Sequence, residues 1–143
     1  MNTKKSFTIF LSLSFVVLGV FALVWAGTTQ LALKAEKPHA GASGTLSISE
    51  NSLSIQAKGL RPNGVYTVWF VNMKPKKQEA GAGQAPYMFK TDGEGNGTYT
   101  SSLSESPFGK WAVVMIVLHP KGDPANMKDM VPALSAMIPK SGS

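Results

Sequence analysis

Six methionines follow the initiator, at positions 73, 88, 115, 127, 130 and 137, beside two histidines, His39 and His119, and no cysteine. Thioether and imidazole ligands together suit Cu(I). Spacing decides which of them can cooperate. Met115 and His119 share one face of an alternating segment, but four residues of strand separate them by about 13 Å at ~3.3 Å per residue, too far for one ion. Met127 and Met130, three residues apart, meet if their loop makes a helical turn, and His119 stands at the mouth of that loop. His119, Met127 and Met130 are therefore the candidate metal ligands. The competing reading has Met115 and Met137 filling core gaps, Met127 and Met130 packing the loop down and His119 ending a strand. No established metal spacing is matched, so no cofactor is expected, with copper as the alternative.

The segment Asp92-Gly93-Glu94-Gly95-Asn96-Gly97 copies the first half of a calcium loop, with oxygens at positions one, three and five and glycine at six. Position twelve of that count is Leu103, where a bidentate Glu belongs, and a glycine-rich hairpin turn accounts for the same letters. Catalytic patterns are missing: there is no Gly-x-Ser-x-Gly, no His-Glu-x-x-His and no phosphate loop leading into a helix. His119 has only Asp123 as a nearby acid. The expectation is a non-enzyme. Among the aromatic residues, Trp69 and Trp111 are the candidate partner-binding pair, because two tryptophans on one outward face make an apolar patch. The alternative is that aromatic residues on strands are core.

The elements that must position these residues follow from composition and pattern. The chain has 143 residues, 43% hydrophobic and 15% charged, which argues against a disordered or coiled-coil protein. Fourteen Lys and Arg against eight Asp and Glu give +6, and without Lys4 and Lys5 twelve against eight give +4. The basic residues are scattered apart from Lys74, Lys76 and Lys77, with no basic stripe interleaved with aromatics, so nucleic acid is not an expected partner. Lacking cysteine, the protein has no disulfide and no thiolate ligand. Lys4 and Lys5 precede an uncharged apolar run, Phe7 to Ala26, that reads as a signal peptide, with Ala26 as a plausible cleavage position. The run is also long enough to span a bilayer, so residues 1–26 are expected to be either a cleaved signal or a membrane anchor over 7–26. Both place the rest of the protein in the periplasm or outside the cell.

Residues 27–42 read as a tether, with Pro38 and Gly41 and no periodic pattern, and 43–140 as one β domain. Gly44–Ser49 and Ser52–Ala57 alternate apolar and polar side chains about Glu50-Asn51, a half-buried hairpin. Val65–Asn72 is apolar on both faces, the mark of an interior strand. Pro86–Thr91 and Thr98–Leu103 form a second hairpin, Lys110–His119 the longest strand and Ala133–Ile138 a closing one. Within the longest strand, the Ala112, Val114, Ile116 and Leu118 set is expected inward and the Trp111, Val113, Met115 and Val117 set outward, partly covered by a loop. Asp123 and Pro124 are expected to cap and start a helical turn in the loop from Pro120. The total is all-β: a seven-stranded antiparallel Ig-like β-sandwich.

The stretch Gly59-Leu60-Arg61-Pro62-Asn63-Gly64-Val65-Tyr66-Thr67-Val68-Trp69-Phe70 resembles the turn and strand of the extracytoplasmic domain of anti-sigma-K-type factors, where a leucine, proline, tyrosine, x, x, tryptophan pattern leads into a strand. The similarity runs through Thr91-Asp92-Gly93 to Trp111-Ala112-Val113-Val114 and covers roughly residues 44–138. It implies a sandwich of that kind. Only six residues precede the apolar run, so no counterpart of the family's cytoplasmic sigma-binding part is expected and sigma-factor inhibition is not implied. The functional expectation is an exported, non-catalytic binding or structural module of the cell envelope, its partner unidentified. The alternative is a periplasmic copper-binding or copper-delivery protein with Met and His ligands.

Overall fold

The structure, a computed structural model, describes residues 27–142; the expected signal or anchor at 1–26 lies outside the described residues. Strand assignment follows side-chain alternation. In β2 (Ser43–Ile48) and β3 (Ser52–Lys58), Leu46, Ile48, Leu53, Ile55 and Ala57 are buried while Thr45, Gln56 and Lys58 face water. Burying each large aliphatic side chain stabilises the fold by roughly 1.5–3 kcal/mol. β4 (Val65–Asn72) buries Tyr66, Val68 and Phe70 on one face and Thr67 and Val71 on the other, as expected of an interior strand. β8 (Val113–His119) turns Val114, Ile116 and Leu118 into the core, the set expected there, although Ala112 precedes the strand and is exposed.

Nine antiparallel strands form one curled sheet, where seven had been expected. The two additional strands are β1 (Thr29–Ala35), inside the expected tether, and β5 (Gln78–Gly81), inside an expected loop. The remaining strands are β6 (Met88–Lys90), β7 (Gly97–Ser102) and β9 (Val131–Met137). β8 begins at Val113 rather than Lys110, so β4 with 8 residues is the longest strand. The order is β5-β4-β8-β9-β1-β2-β3-β7, with β6 on β4, so the expected second hairpin does not form: β6 pairs with β4 and β7 with β3. The tether reading fails because β1 is held on both sides. Thr29 to Leu33 pair with β2, whereas Lys34 and Ala35 pair with Ser135 and Leu134 of β9. One strand shared between two sets of partners makes the sheet turn a corner there.

β5 and β6 run along the same edge of β4 and are separated by an excursion over residues 82–87. Ala82 N–H donates to the Val68 carbonyl and Val68 N–H to the Tyr87 carbonyl, both at 2.9 Å. The excursion reaches the other end of the sheet. Tyr99 O–H donates to the Ala82 carbonyl (2.6 Å), and Gln84 N–H donates to Ser101 Oγ (2.8 Å). The stacked rings of Tyr66 and Phe89 (5.5 Å) and the Phe89–Tyr99 contact (6.3 Å) fill the space behind. Burial pushes the Tyr66 hydroxyl above its ordinary pKa, against lowering by the Arg61 backbone N–H and charge; burial likewise raises Tyr99.

Candidate functional site

The outer face of β4, β8 and β9 carries Trp69, Met115, His119 and Met137. Trp69 lies directly opposite Met115, and Val71 opposite Val113, which in turn faces Met137 on β9. Tyr87 extends the row, its ring 5.8 Å from that of Trp69. That contact needs glycine at position 81, where a Cβ would stand 2.3 Å from the Tyr87 ring. Trp69, Tyr87, Val113 and Met115 are half-buried, and Met137 is 78% exposed. Met137 therefore does not fill a core gap as expected: in β9 the inward positions belong to Leu134 and Ala136, and 137 points away.

On the same face, beside this apolar row, runs a polar chain. Trp69 Nε1–H donates to Thr67 Oγ1 (2.8 Å), and Thr67 Oγ1 lies 2.7 Å from His119 Nε2. His119 Nδ1 lies 3.1 Å from the Asn126 carbonyl, which only accepts, so the proton sits on Nδ1 and Nε2 accepts the Thr67 hydroxyl. Every link is satisfied, and His119 is 2% exposed. The sequence expectation that His119 ends a strand is met. Its use as a ligand beside Met127 and Met130 would require breaking one of these bonds.

The loop from Pro120 to Met130 contains a turn, not the expected helical turn presenting Met127 and Met130 together. Asp123 does cap it: its Oδ1 accepts the Ala125 N–H (2.9 Å) and its carbonyl accepts the Asn126 N–H (3.1 Å). Asn126 Oδ1 then accepts the Lys128 N–H (3.0 Å), a side-chain bond that competes with helical continuation. Met127 is 44% exposed, while Met130 is half-buried. A Lys121–Asp129 ion pair (3.2 Å) ties the loop's ends together in solvent.

Trp69 and Trp111 do not share an outward face. Trp111 precedes β8, stacks on the core residue Phe70 (6.0 Å) and packs with the interior cluster, so the expected two-tryptophan patch is not formed. His39 repeats the pattern of His119. Its Nδ1–H donates to the Pro132 carbonyl (3.2 Å) and its Nε2 accepts the Tyr66 hydroxyl (3.1 Å), which itself accepts the Arg61 N–H (2.9 Å). Among the described residues no group of three or more His, Cys, Asp and Glu is placed to hold a metal ion. Asp92 holds its turn together, with Oδ1 accepting the N–H groups of Glu94 and Asn96 at 2.9 Å each. These bonds lower its pKa.

An open groove of about 1060 Å³ on the outer face of β2, β3 and β7 was not foreseen. Gly44, Ala57 and Gly97 sit opposite one another and floor it with backbone. Thr45, Gln56 and Thr98 form the neighbouring cross-strand row, and Lys58, Asn63, Lys90 and Asp92 rise on the other side. Gly97 is required because a Cβ there would stand 2.5 Å from the Phe89 ring on the core side. The polar alternation of these strands was legible, but their face reads as ordinary solvated surface until Asn63, Lys90 and Asp92 are brought beside it by the β6–β7 turn.

No protein-family model, no curated protein and no solved structure matches this chain.

Proposed function

We propose that this protein is an exported, non-catalytic binding module of the cell envelope whose curled sheet works as an Ig-like β-sandwich, of the kind the resemblance to anti-sigma-K-type extracytoplasmic domains implies. The corner at β1 supports the two-layer reading, since one strand then serves both layers. The observation that carries the binding reading is the row Tyr87, Trp69, Met115 and Met137, an apolar strip on the outer side of interior strands. Met137, 78% exposed beside the half-buried Trp69 and Met115, makes this strip an apolar patch of the kind that marks an interaction surface. The non-catalytic reading is supported by the histidines, whose four ring nitrogens are all engaged in bonds that hold strands and loops. The apolar run at 7–26 supports export, with or without retention at the membrane.

The test is the size of the full chain in detergent-solubilised envelope, wild type against Met137→Glu. Wild type running larger than the purified chain, with the variant at the free-chain size, supports the reading. Wild type at the free-chain size overturns it.

A copper-binding or copper-delivery protein is the second reading, and one observation favours it. Met137 faces Val113 and Met115 faces Ser135, so the two methionines are diagonal neighbours on one face, with Trp69 beside Met115. The thioethers rather than His119 would then supply the ligands. Cu(I) at a hundred times its dissociation constant would add about 2.7 kcal/mol of stability. An unchanged melting temperature excludes this reading.

A further inference from the structure

We infer that the groove over β2, β3 and β7 is a binding site for an acidic oligosaccharide. This site is separate from the apolar row, so the inference stands or falls independently of the function proposed above. Four features of the groove converge on that ligand class.

The first is its lining. Thr45, Gln56 and Thr98 lie side by side on three adjacent strands, an amide between two hydroxyls, with Asn63 across the floor. Among the described residues none of these four side chains has a protein hydrogen-bond partner, in contrast to Thr91 at the groove's end, whose hydroxyl donates to the Arg61 carbonyl. All four are exposed, so their donors and acceptors are open to water or to a ligand that carries many of both, which is the chemistry of a sugar. The second is spacing. Neighbouring strands are about 4.8 Å apart, comparable to the advance of one pyranose ring and its glycosidic oxygen. A chain laid across the strands thus meets one polar side chain per sugar.

The third is charge. Lys58 and Lys90 both line the groove and neither is in an ion pair among the described residues, whereas Lys77, Lys110 and Lys121 are. Asp92 opposes them, but its Oδ1 is committed to the turn. Two free ammonium groups against one partly engaged carboxylate favour an anionic ligand, and charge-assisted bonds are the stronger ones. The fourth is what the walls lack. No aromatic or large aliphatic side chain lines the groove, which disfavours nucleobases that need stacking platforms and ligands with apolar tails.

The test is isothermal titration of the full chain in detergent with three probes: a hexameric galacturonate oligosaccharide, a neutral gluco-oligosaccharide of the same length, and inorganic phosphate. The acidic oligosaccharide is expected to bind about tenfold or more tightly than the neutral one, the loss of one charge-assisted bond. Lys58→Gln with Lys90→Gln is expected to erase that preference, and Gln56→Ala to weaken both sugars. All these positions are exposed, so the variants should melt as wild type does. No binding of the acidic oligosaccharide, equal binding of the neutral one, or displacement by an equal concentration of phosphate would each overturn the inference.

Discussion

Thr67→Val is the sharpest probe of the outer face, because it removes one oxygen and leaves the side chain's shape unchanged. Thr67 Oγ1 serves two neighbours, accepting from Trp69 Nε1–H and donating to His119 Nε2. After substitution His119, 2% exposed, has a ring nitrogen with no partner and no access to water. Leaving a buried polar group unpaired costs about 1–3 kcal/mol. The half-buried Trp69 indole can turn its N–H to solvent and adds less, so the total is expected at about 2–3 kcal/mol. Urea unfolding gives this as a lowered midpoint at an unchanged slope. Adding His119→Leu to Thr67→Val removes the orphaned nitrogen, so the double variant should be more stable than the sum of the singles by about 1 kcal/mol or more. A Thr67→Val protein within about 0.5 kcal/mol of wild type, or strictly additive singles, would show that this hydroxyl does not join the two rings.

Three further outcomes are expected. Gly81→Ala, whose Cβ would stand 2.3 Å from the Tyr87 ring, should displace that ring from Trp69 and cost about 1–3 kcal/mol; an unchanged near-ultraviolet dichroism and melting temperature would contradict this. Asp92 has its folded pKa lowered from 3.8, so its contribution to stability is complete above that value and is lost as pH falls through the folded pKa; Asp92→Ala should flatten the acid limb of a stability-against-pH curve, and a parallel limb would refute the capping role. Tyr66 and Tyr99 have folded pKa values raised from 10.0, so the folded state keeps their protons longer and stability falls as pH rises past 10.0; Tyr99→Phe should reduce that alkaline loss, and an unchanged loss would contradict burial as its cause.

Period-two alternation located β2, β3, β4 and the inward face of β8, because each buries one side fully and registers with neighbours on both edges. It missed β1, where Leu31-Ala32-Leu33 is too brief an alternation to stand out from Ala and Lys, residues with weak strand preference. What makes 29–35 a strand is pairing with β2 and β9, and β9 lies about a hundred residues further along the chain. β5 was hidden for the same reason, its Gln-Glu-Ala-Gly letters being those of a loop and its order coming from β4. At the candidate sites, the sequence marked Trp69 and His119 but not Thr67, whose hydroxyl joins them. Trp111 went astray because it stands outside the strand whose parity was used to place it. Residue type points Met137 to the core, but it directly faces Val113 on the outer side.

The Trp69, Met115 and Met137 row is proposed to face a partner, and photo-crosslinking from a single position tests this directly. A benzophenone side chain placed at Met137 in the full chain, irradiated in intact cells, should give one discrete adduct, while the same group at Thr100 on the opposite, hydroxyl-lined half of the sheet gives none of that size. No adduct from position 137, or the same adduct from both positions, would contradict the account.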